Sequence, residues 1–95
     1  MTVEGWRRKI DEIDRKLVKL LNERSRCALE IGKLKKANGS PLHQPKRERE
    51  VLAGVERANR GPLDGAALRR LFKLIVKEAR SLEGTIMHDK KAGDR

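Results

Sequence analysis

The sequence predicts an all-α protein with three helices per chain, one very long N-terminal helix and two shorter ones. Apolar residues recur every three or four positions from Trp6 to about Ala37, and this stretch contains no proline. Two breaks interrupt the helical pattern, Asn-Gly-Ser-Pro at residues 38–41 and Arg-Gly-Pro at residues 60–62. Residues that favour strands are scarce, since the chain has one Phe and no Tyr.

The first helix is too long for a compact fold of one chain. Thr2 is a candidate N-cap, and about 32 residues at 1.5 Å each give a length of roughly 48 Å. A compact chain of 95 residues has a diameter of only roughly 32 Å. The overhanging apolar stripe therefore predicts a dimer in which a second copy covers it. Arg24 and Lys35 fall within this stripe, and buried cations require an anionic partner.

Two shorter helices are expected to follow. The second runs from Pro45 or Lys46 to Asn59, with the proline in its first turn. The third begins after Asp64, which can cap it, and runs to about Gly84. Residues 1–87 are thus expected to form one helical domain.

A tail completes the chain from His88 to Arg95, and its charged, glycine-containing sequence predicts disorder.

Composition narrows the possible partners and the compartment. Charged residues form 40% of the chain and the net charge is +10, which would suit nucleic acid, an acidic membrane surface or small anions. The basic residues are interleaved with acids, however, and Trp6 and Phe72 both follow apolar stripes, so neither nucleic-acid nor membrane binding is expected. Cys27 is the single cysteine, at a packing position, and the N-terminus is charged; both favour a cytoplasmic protein without disulfides.

The candidate site consists of polar side chains that point inward. No nucleophile stands beside a base, no metal-ligand cluster is evident, and His43 and His88 are expected to be solvated. The inward cations and their polar companions are Arg24, Lys35, Arg47, Gln44, Glu48 and Glu83. Each one alone could be a solvated or snorkelling side chain, but their convergence in one small core favours an anion-binding site.

The order and spacing of these residues resemble the all-helical class of chorismate mutases over about residues 5–86. The matching series is Arg7-x-x-Ile10-x-x-Ile13-Asp14, Leu17-x-x-Leu20-Leu21-x-x-Arg24, Ile31-Gly32-x-x-Lys35, Arg47-Glu48-x-Glu50 and Leu71-Phe72-x-x-Ile75. The resemblance implies an intertwined homodimer and an isomerase that converts chorismate to prephenate on the route to phenylalanine and tyrosine, with no cofactor and no metal.

The same resemblance implies a role for each site residue. Arg24 and Arg7 of the partner subunit would bind the two carboxylates of the substrate. Lys35 would contact a carboxylate and the ether oxygen, and Glu83 would face that oxygen, so that Arg24, Lys35 and Glu83 are the expected catalytic residues.

The remaining site residues are expected to shape and support the pocket. Arg47 would support the site, Glu48 would hold the ring hydroxyl, and Gln44 would lie beside it. Three positions depart from the commonest family pattern: Gln44 replaces an acid, Ala79 a serine and Glu83 a glutamine. Glu83 could donate to the ether oxygen only when protonated, and an alternative places it outward in a surface ion pair.

Other functions remain open from the sequence. An isochorismate pyruvate lyase would share the fold and bind a similar dianion. A non-catalytic helical dimerisation or regulatory module, or a basic helical nucleic-acid binder, would also fit a small charged helical chain. An activating protein partner would be compatible with a small stand-alone enzyme.

Overall fold

A computed structural model describes residues 2–88 and has three α-helices within that range, with no strand. Helix α1 spans Val3–Asn38, α2 spans Pro45–Ala58 and α3 spans Gly65–Met87. The predicted all-α class, with one very long helix and two shorter ones, is confirmed. Helix α1 begins directly after the predicted cap Thr2, three residues before the apolar pattern starts at Trp6. Helix α3 ends at Met87, three residues beyond the expected end at Gly84. Residues 89–95, which carry most of the expected disordered tail, lie outside the described range.

The helix ends follow the capping residues of the sequence. The Thr2 hydroxyl accepts a hydrogen bond from the Gly5 amide at 3.0 Å, and the Asp64 carboxylate accepts one from the Ala67 amide at 2.7 Å. Gly39 ends α1 with a φ of 71°, in the left-handed region that glycine adopts without strain. These caps fix both ends of α1 and the start of α3. Short connections return the chain on itself.

Helix α3 packs against both α1 and α2 and holds them together. Gly32 lets α1 approach α3 closely, because a Cβ atom at this position would lie 3.1 Å from the Cα atom of Glu83. Ala28 and Ala79 are also buried, on α1 and α3 respectively. Small residues thus bring the C-terminal part of α1 against α3, where the candidate site residues are located.

The N-terminal half of α1 extends beyond the packed region. The described chain measures 57 × 29 × 15 Å, with a radius of gyration of 17.0 Å, against about 12 Å for a compact chain of this length. Six large apolar side chains of this half are 42–59% exposed, namely Trp6, Ile10, Ile13, Leu17, Leu20 and Leu21. We call these six residues the apolar stripe of α1. A single chain leaves this stripe in water.

None of the helices between residues 2 and 88 combines the length and the apolar sequence that a bilayer-spanning helix requires.

Candidate active site

A cavity of about 420 Å³ lies between the C-terminal half of α1, α2 and α3. Its charged lining residues are four cations and two carboxylates: Arg24, Lys35, Arg47, Arg80, Glu48 and Glu83. Apolar side chains form much of the remaining wall, including Ile31, Leu42, Val51 and Val76. The charged lining therefore carries a net charge of +2, which matches a ligand with two negative charges and an apolar body.

Lys35 and Glu83 form an ion pair in the cavity wall. The Lys35 Nζ atom donates to Glu83 Oε1 at 2.6 Å and to the carbonyl oxygen of Leu42 at 2.9 Å. The two side chains are only 14% and 12% exposed, so this is a well-shielded charge-assisted hydrogen bond. The alternative in which Glu83 turns outward is therefore wrong. The close approach of the helices at Gly32 carries Glu83 inward, beside the lysine.

Glu48 forms the second ion pair of the wall, with Arg80. The Arg80 Nη1 atom donates to Glu48 Oε2 at 2.7 Å, and this bond joins α3 to α2. His43 lies nearby, with its Nε2 atom 3.5 Å from Glu48 Oε1. The sequence analysis missed Arg80, although its position three residues before Glu83 on the same helix face was a usable signal.

Three other candidate residues line the same cavity. Arg24 is half-buried, and its guanidinium forms no ion pair or hydrogen bond with another residue in the range 2–88. Arg47 is largely exposed and lies 3.8 Å from Glu50, while the Gln44 side-chain amide donates to the Pro41 carbonyl oxygen at 3.3 Å. Because few protein groups compete for these side chains, Arg24 and Arg47 are available to an anionic ligand.

Ala79 and Cys27 also line the cavity, one buried and the other exposed. The expectation that Cys27 is a packing residue is wrong. At the turn of α1 that carries Cys27, the inward face of the helix meets the open cavity rather than a filled core.

Arg7 is the one candidate residue that does not line the cavity of its own chain. Its Nη1 atom lies 3.2 Å from Glu4 Oε1, in a solvent-exposed pair near the start of α1. Seventeen positions separate Arg7 from Arg24, which is about 25 Å along a helix axis. Arg7 therefore cannot reach a ligand bound at Arg24 in the same chain.

Metal ligands do not gather in the described part of the chain. Between residues 2 and 88 no group of three or more His, Cys, Asp or Glu side chains is arranged to hold a metal ion. The cavity lining offers fixed charges and hydrogen-bonding groups. Such groups bind an anion, restrict its conformation and stabilise charge that develops during a reaction.

Comparison with known proteins gives a consistent result. Residues 6–84 match the family model described as chorismate mutase type II. A bifunctional chorismate mutase/prephenate dehydratase from Stutzerimonas stutzeri is 37% identical over 86 residues, which is 85% of this chain and 24% of the relative. The chain thus spans about a quarter of the length of the bifunctional relatives that it matches.

Solved structures agree with the sequence comparison. A chorismate mutase from Thermus thermophilus has a TM-score of 0.84 and 39% identity, covering 86% of this chain and 93% of that one. A chorismate mutase from Helicobacter pylori, solved in complex with prephenate, has a TM-score of 0.81 and 30% identity, covering 90% and 92% of the two chains. With its helical fold, its family match and these structural relatives, the chain belongs to the chorismate mutase type II family.

Proposed function

We propose that this chain is a chorismate mutase, an isomerase that rearranges chorismate to prephenate on the route to phenylalanine and tyrosine. The observation that carries the proposal is the charged cavity between the three helices, whose net charge of +2 complements the two carboxylates of chorismate. Membership of the family and a relative solved with prephenate support the same substrate. The proposal concerns the mutase reaction alone, because the chain covers only 24% of its bifunctional relative.

The reaction requires positioning rather than covalent catalysis. In this rearrangement the ether C–O bond breaks while a new C–C bond forms, and every atom of the substrate is retained. The enolpyruvyl group must be held over the ring, and negative charge grows on the ether oxygen as its bond breaks. A rigid cationic cavity lowers the barrier to both changes.

Lys35 is proposed to stabilise the charge on the ether oxygen. Its Nζ atom is already fixed by Glu83 and the Leu42 carbonyl, at 2.6 Å and 2.9 Å. A donor that is held in place before the reaction needs no reorganisation as the charge develops. Arg24 is proposed to bind a substrate carboxylate, in keeping with its freedom from protein partners in the range 2–88. Arg47 supports the same end of the ligand.

Glu83 is proposed to act in its protonated form. As a carboxylate it would oppose the growing negative charge of the ether oxygen, whereas a carboxylic acid can donate a hydrogen bond to that oxygen. Lys35 donates to Glu83 and to the Leu42 carbonyl oxygen, so one of its three N–H donors remains for the ether oxygen.

The other polar residues are proposed to hold the ring. Glu48 accepts a hydrogen bond from the ring hydroxyl, and Gln44 lies beside it. Ala79 leaves space at the buried side of the cavity.

The active enzyme is proposed to be an intertwined homodimer with shared sites. The apolar stripe of α1 is 42–59% exposed in one chain, which is the surface that a second copy would cover. An antiparallel second copy would bring Arg7 of the partner subunit to the cavity, where it would bind the second carboxylate. The proposal places this dimer, built from residues 1–87 of each chain, in the cytoplasm, in keeping with its lone cysteine.

Product identification tests the activity directly. Purified protein is incubated separately with chorismate and isochorismate, and the products are identified by NMR and mass spectrometry. We expect prephenate from chorismate. Release of pyruvate from isochorismate, without prephenate from chorismate, would identify a lyase instead. Absence of turnover with both compounds, in a protein of full helix content, would favour the non-catalytic module.

A further inference from the structure

The proposed mechanism leaves one charged residue of the cavity without a role. Two ion pairs between helices line the cavity, and the first, Lys35–Glu83, faces the breaking bond. The second pair joins Arg80 to Glu48 across α3 and α2. The Glu48 carboxylate is the proposed acceptor of the ring hydroxyl, and Arg80 is the cation that holds this carboxylate.

Arg80 is anchored at the boundary between two cavities. It follows the buried Ala79 on α3, and its side chain lines both the main cavity and a neighbouring one of about 350 Å³. Glu48 lines both cavities as well, so the ion pair forms part of the wall between them. The other charged residues of the second cavity are the cations Arg49, Lys73 and Lys77. Between residues 2 and 88, Arg80 is the one residue that donates a hydrogen bond to the Glu48 carboxylate.

The hydrogen bond determines which oxygen of Glu48 remains available. Arg80 Nη1 donates to Oε2 at 2.7 Å, whereas Oε1 lies 3.5 Å from His43 Nε2, beyond an ordinary hydrogen bond. A carboxylate can only accept hydrogen bonds, and its Oε2 atom is already occupied by the guanidinium of Arg80. Oε1 is therefore the acceptor that remains for a hydroxyl group of a ligand.

Arg80 also offsets the charge of Glu48. Without it, the Glu48 carboxylate would face a dianionic ligand without its own cation. Repulsion between Glu48 and the ligand would then oppose binding. Arg80 allows a carboxylate to serve as a hydrogen-bond acceptor within a site for anions.

We propose that Arg80 is a positioning residue that orients Glu48, so that Oε1 accepts the ring hydroxyl of the substrate. This inference rests on the proposed mutase function. It assigns Arg80 no direct contact with the substrate, and its effect must therefore pass through Glu48.

A double-mutant cycle of Arg80→Gln and Glu48→Gln tests the inference. We expect Arg80→Gln to raise KM for chorismate about tenfold, in line with the loss of one charge-assisted hydrogen bond. kcat should stay within about twofold, because the ring hydroxyl itself neither breaks nor forms a bond in the rearrangement. In the Glu48→Gln background, the same Arg80 substitution should change KM by less than about twofold.

Two further variants separate positioning from structural support. The observed contact uses a single nitrogen, so Arg80→Lys can restore it and should keep KM within about threefold of wild type. Arg69→Gln is the matched control, because Arg69 Nη1 also bridges α3 to α2 at 2.8 Å, to Glu56, which does not line the cavity. Its KM should equal that of wild type, with helix content of every variant measured by circular dichroism.

The possible outcomes separate this inference from the proposed function. A wild-type protein that makes no prephenate refutes the proposed function itself. If wild type is active, an unchanged KM in Arg80→Gln overturns the role of Arg80 alone. An Arg80 effect of equal size in the Glu48→Gln background also overturns it, because Arg80 would then act on the substrate directly. Should Arg80→Gln lose helix content, the cycle is run with Arg80→Met, which retains the apolar stem, and is judged by the same criteria.

Discussion

Replacing Lys35 with alanine should impair catalysis and stability by separate mechanisms. The substitution removes the cation proposed to face the ether oxygen, and it also removes the partner of a buried carboxylate. Lys35 Nζ lies 2.6 Å from Glu83 Oε1 and 2.9 Å from the Leu42 carbonyl oxygen, and the Glu83 side chain is only 12% exposed. Both consequences therefore follow from one well-ordered group.

The expected magnitudes follow from these contacts. Loss of one preorganised donor to a developing oxyanion costs about 3–4 kcal/mol, or about 10²–10³ in kcat. Leaving a buried carboxylate unpaired costs about 3 kcal/mol of unfolding free energy, the lower end of the usual range, because some of the Glu83 side chain still reaches water. This loss is a large part of a typical total stability of about 5–15 kcal/mol.

The two effects can be measured independently. Initial rates with chorismate give kcat and KM, and urea unfolding followed by circular dichroism gives the free energy of unfolding. Combining Lys35→Ala with Glu83→Gln should restore about 2 kcal/mol of stability, since no unpaired charge remains, without restoring kcat. Lys33→Ala is the matched control, because Lys33 forms an exposed pair with Glu30 at 2.8 Å and should cost less than about 0.5 kcal/mol.

A rise in KM with unchanged kcat would refute this account of Lys35, because the lysine would then bind substrate and transition state equally. Equal stability of Lys35→Ala and wild type would refute the energetic reading of the Lys35–Glu83 pair.

Three further predictions follow from the same geometry. Glu83→Leu, which has no hydrogen-bond donor, should lower kcat, whereas Glu83→Gln should keep it, because an amide can donate to the ether oxygen. Equal kcat values of the two variants would remove Glu83 from the mechanism. Gly32→Ala should lower kcat and the free energy of unfolding, because the new Cβ would lie 3.1 Å from the Glu83 Cα atom. Gly54→Ala is the control: the nearest atom to its new Cβ is a side-chain atom at 3.9 Å, and it should stabilise the helix by about 0.5–1 kcal/mol. Equal effects of the two substitutions would contradict the close approach of α1 and α3. Sedimentation at micromolar concentration should detect a dimer, and a fully helical monomer would refute the proposed role of the apolar stripe of α1.

The helices could be predicted from the sequence because their signals are local. Apolar periodicity, the Asp64 cap and the Gly39 stop depend on neighbouring residues, and the structure has helices at each predicted place. The sequence places the end of α3 at about Gly84, three residues before the observed end at Met87. In the fold, Gly84 lies beside Leu42, where a Cβ atom would be 3.4 Å from Leu42 Cδ2, so a small residue serves packing there.

The cavity was predictable only in part, because it depends on how the helices pack. Lys35 and Glu83 could be selected since each lies in phase with an apolar stripe on its own helix. The partnership of Arg80 with Glu48 joins residues 32 positions apart, and only the packing of α3 on α2 brings them together. Cys27 was misassigned for the same reason, since periodicity does not reveal whether an inward face meets a core or a cavity.

The central claim, a mutase site completed by a second chain, is tested most directly by mixing two inactive variants. Arg7→Ala and Arg24→Ala homodimers should each have almost no chorismate mutase activity. When they are unfolded together in equal amounts and refolded, half of the dimers should be heterodimers, each with one site that carries neither substitution. The account predicts recovery of about a quarter of the wild-type rate of prephenate formation. A refolded mixture that stays as inactive as its components would contradict it.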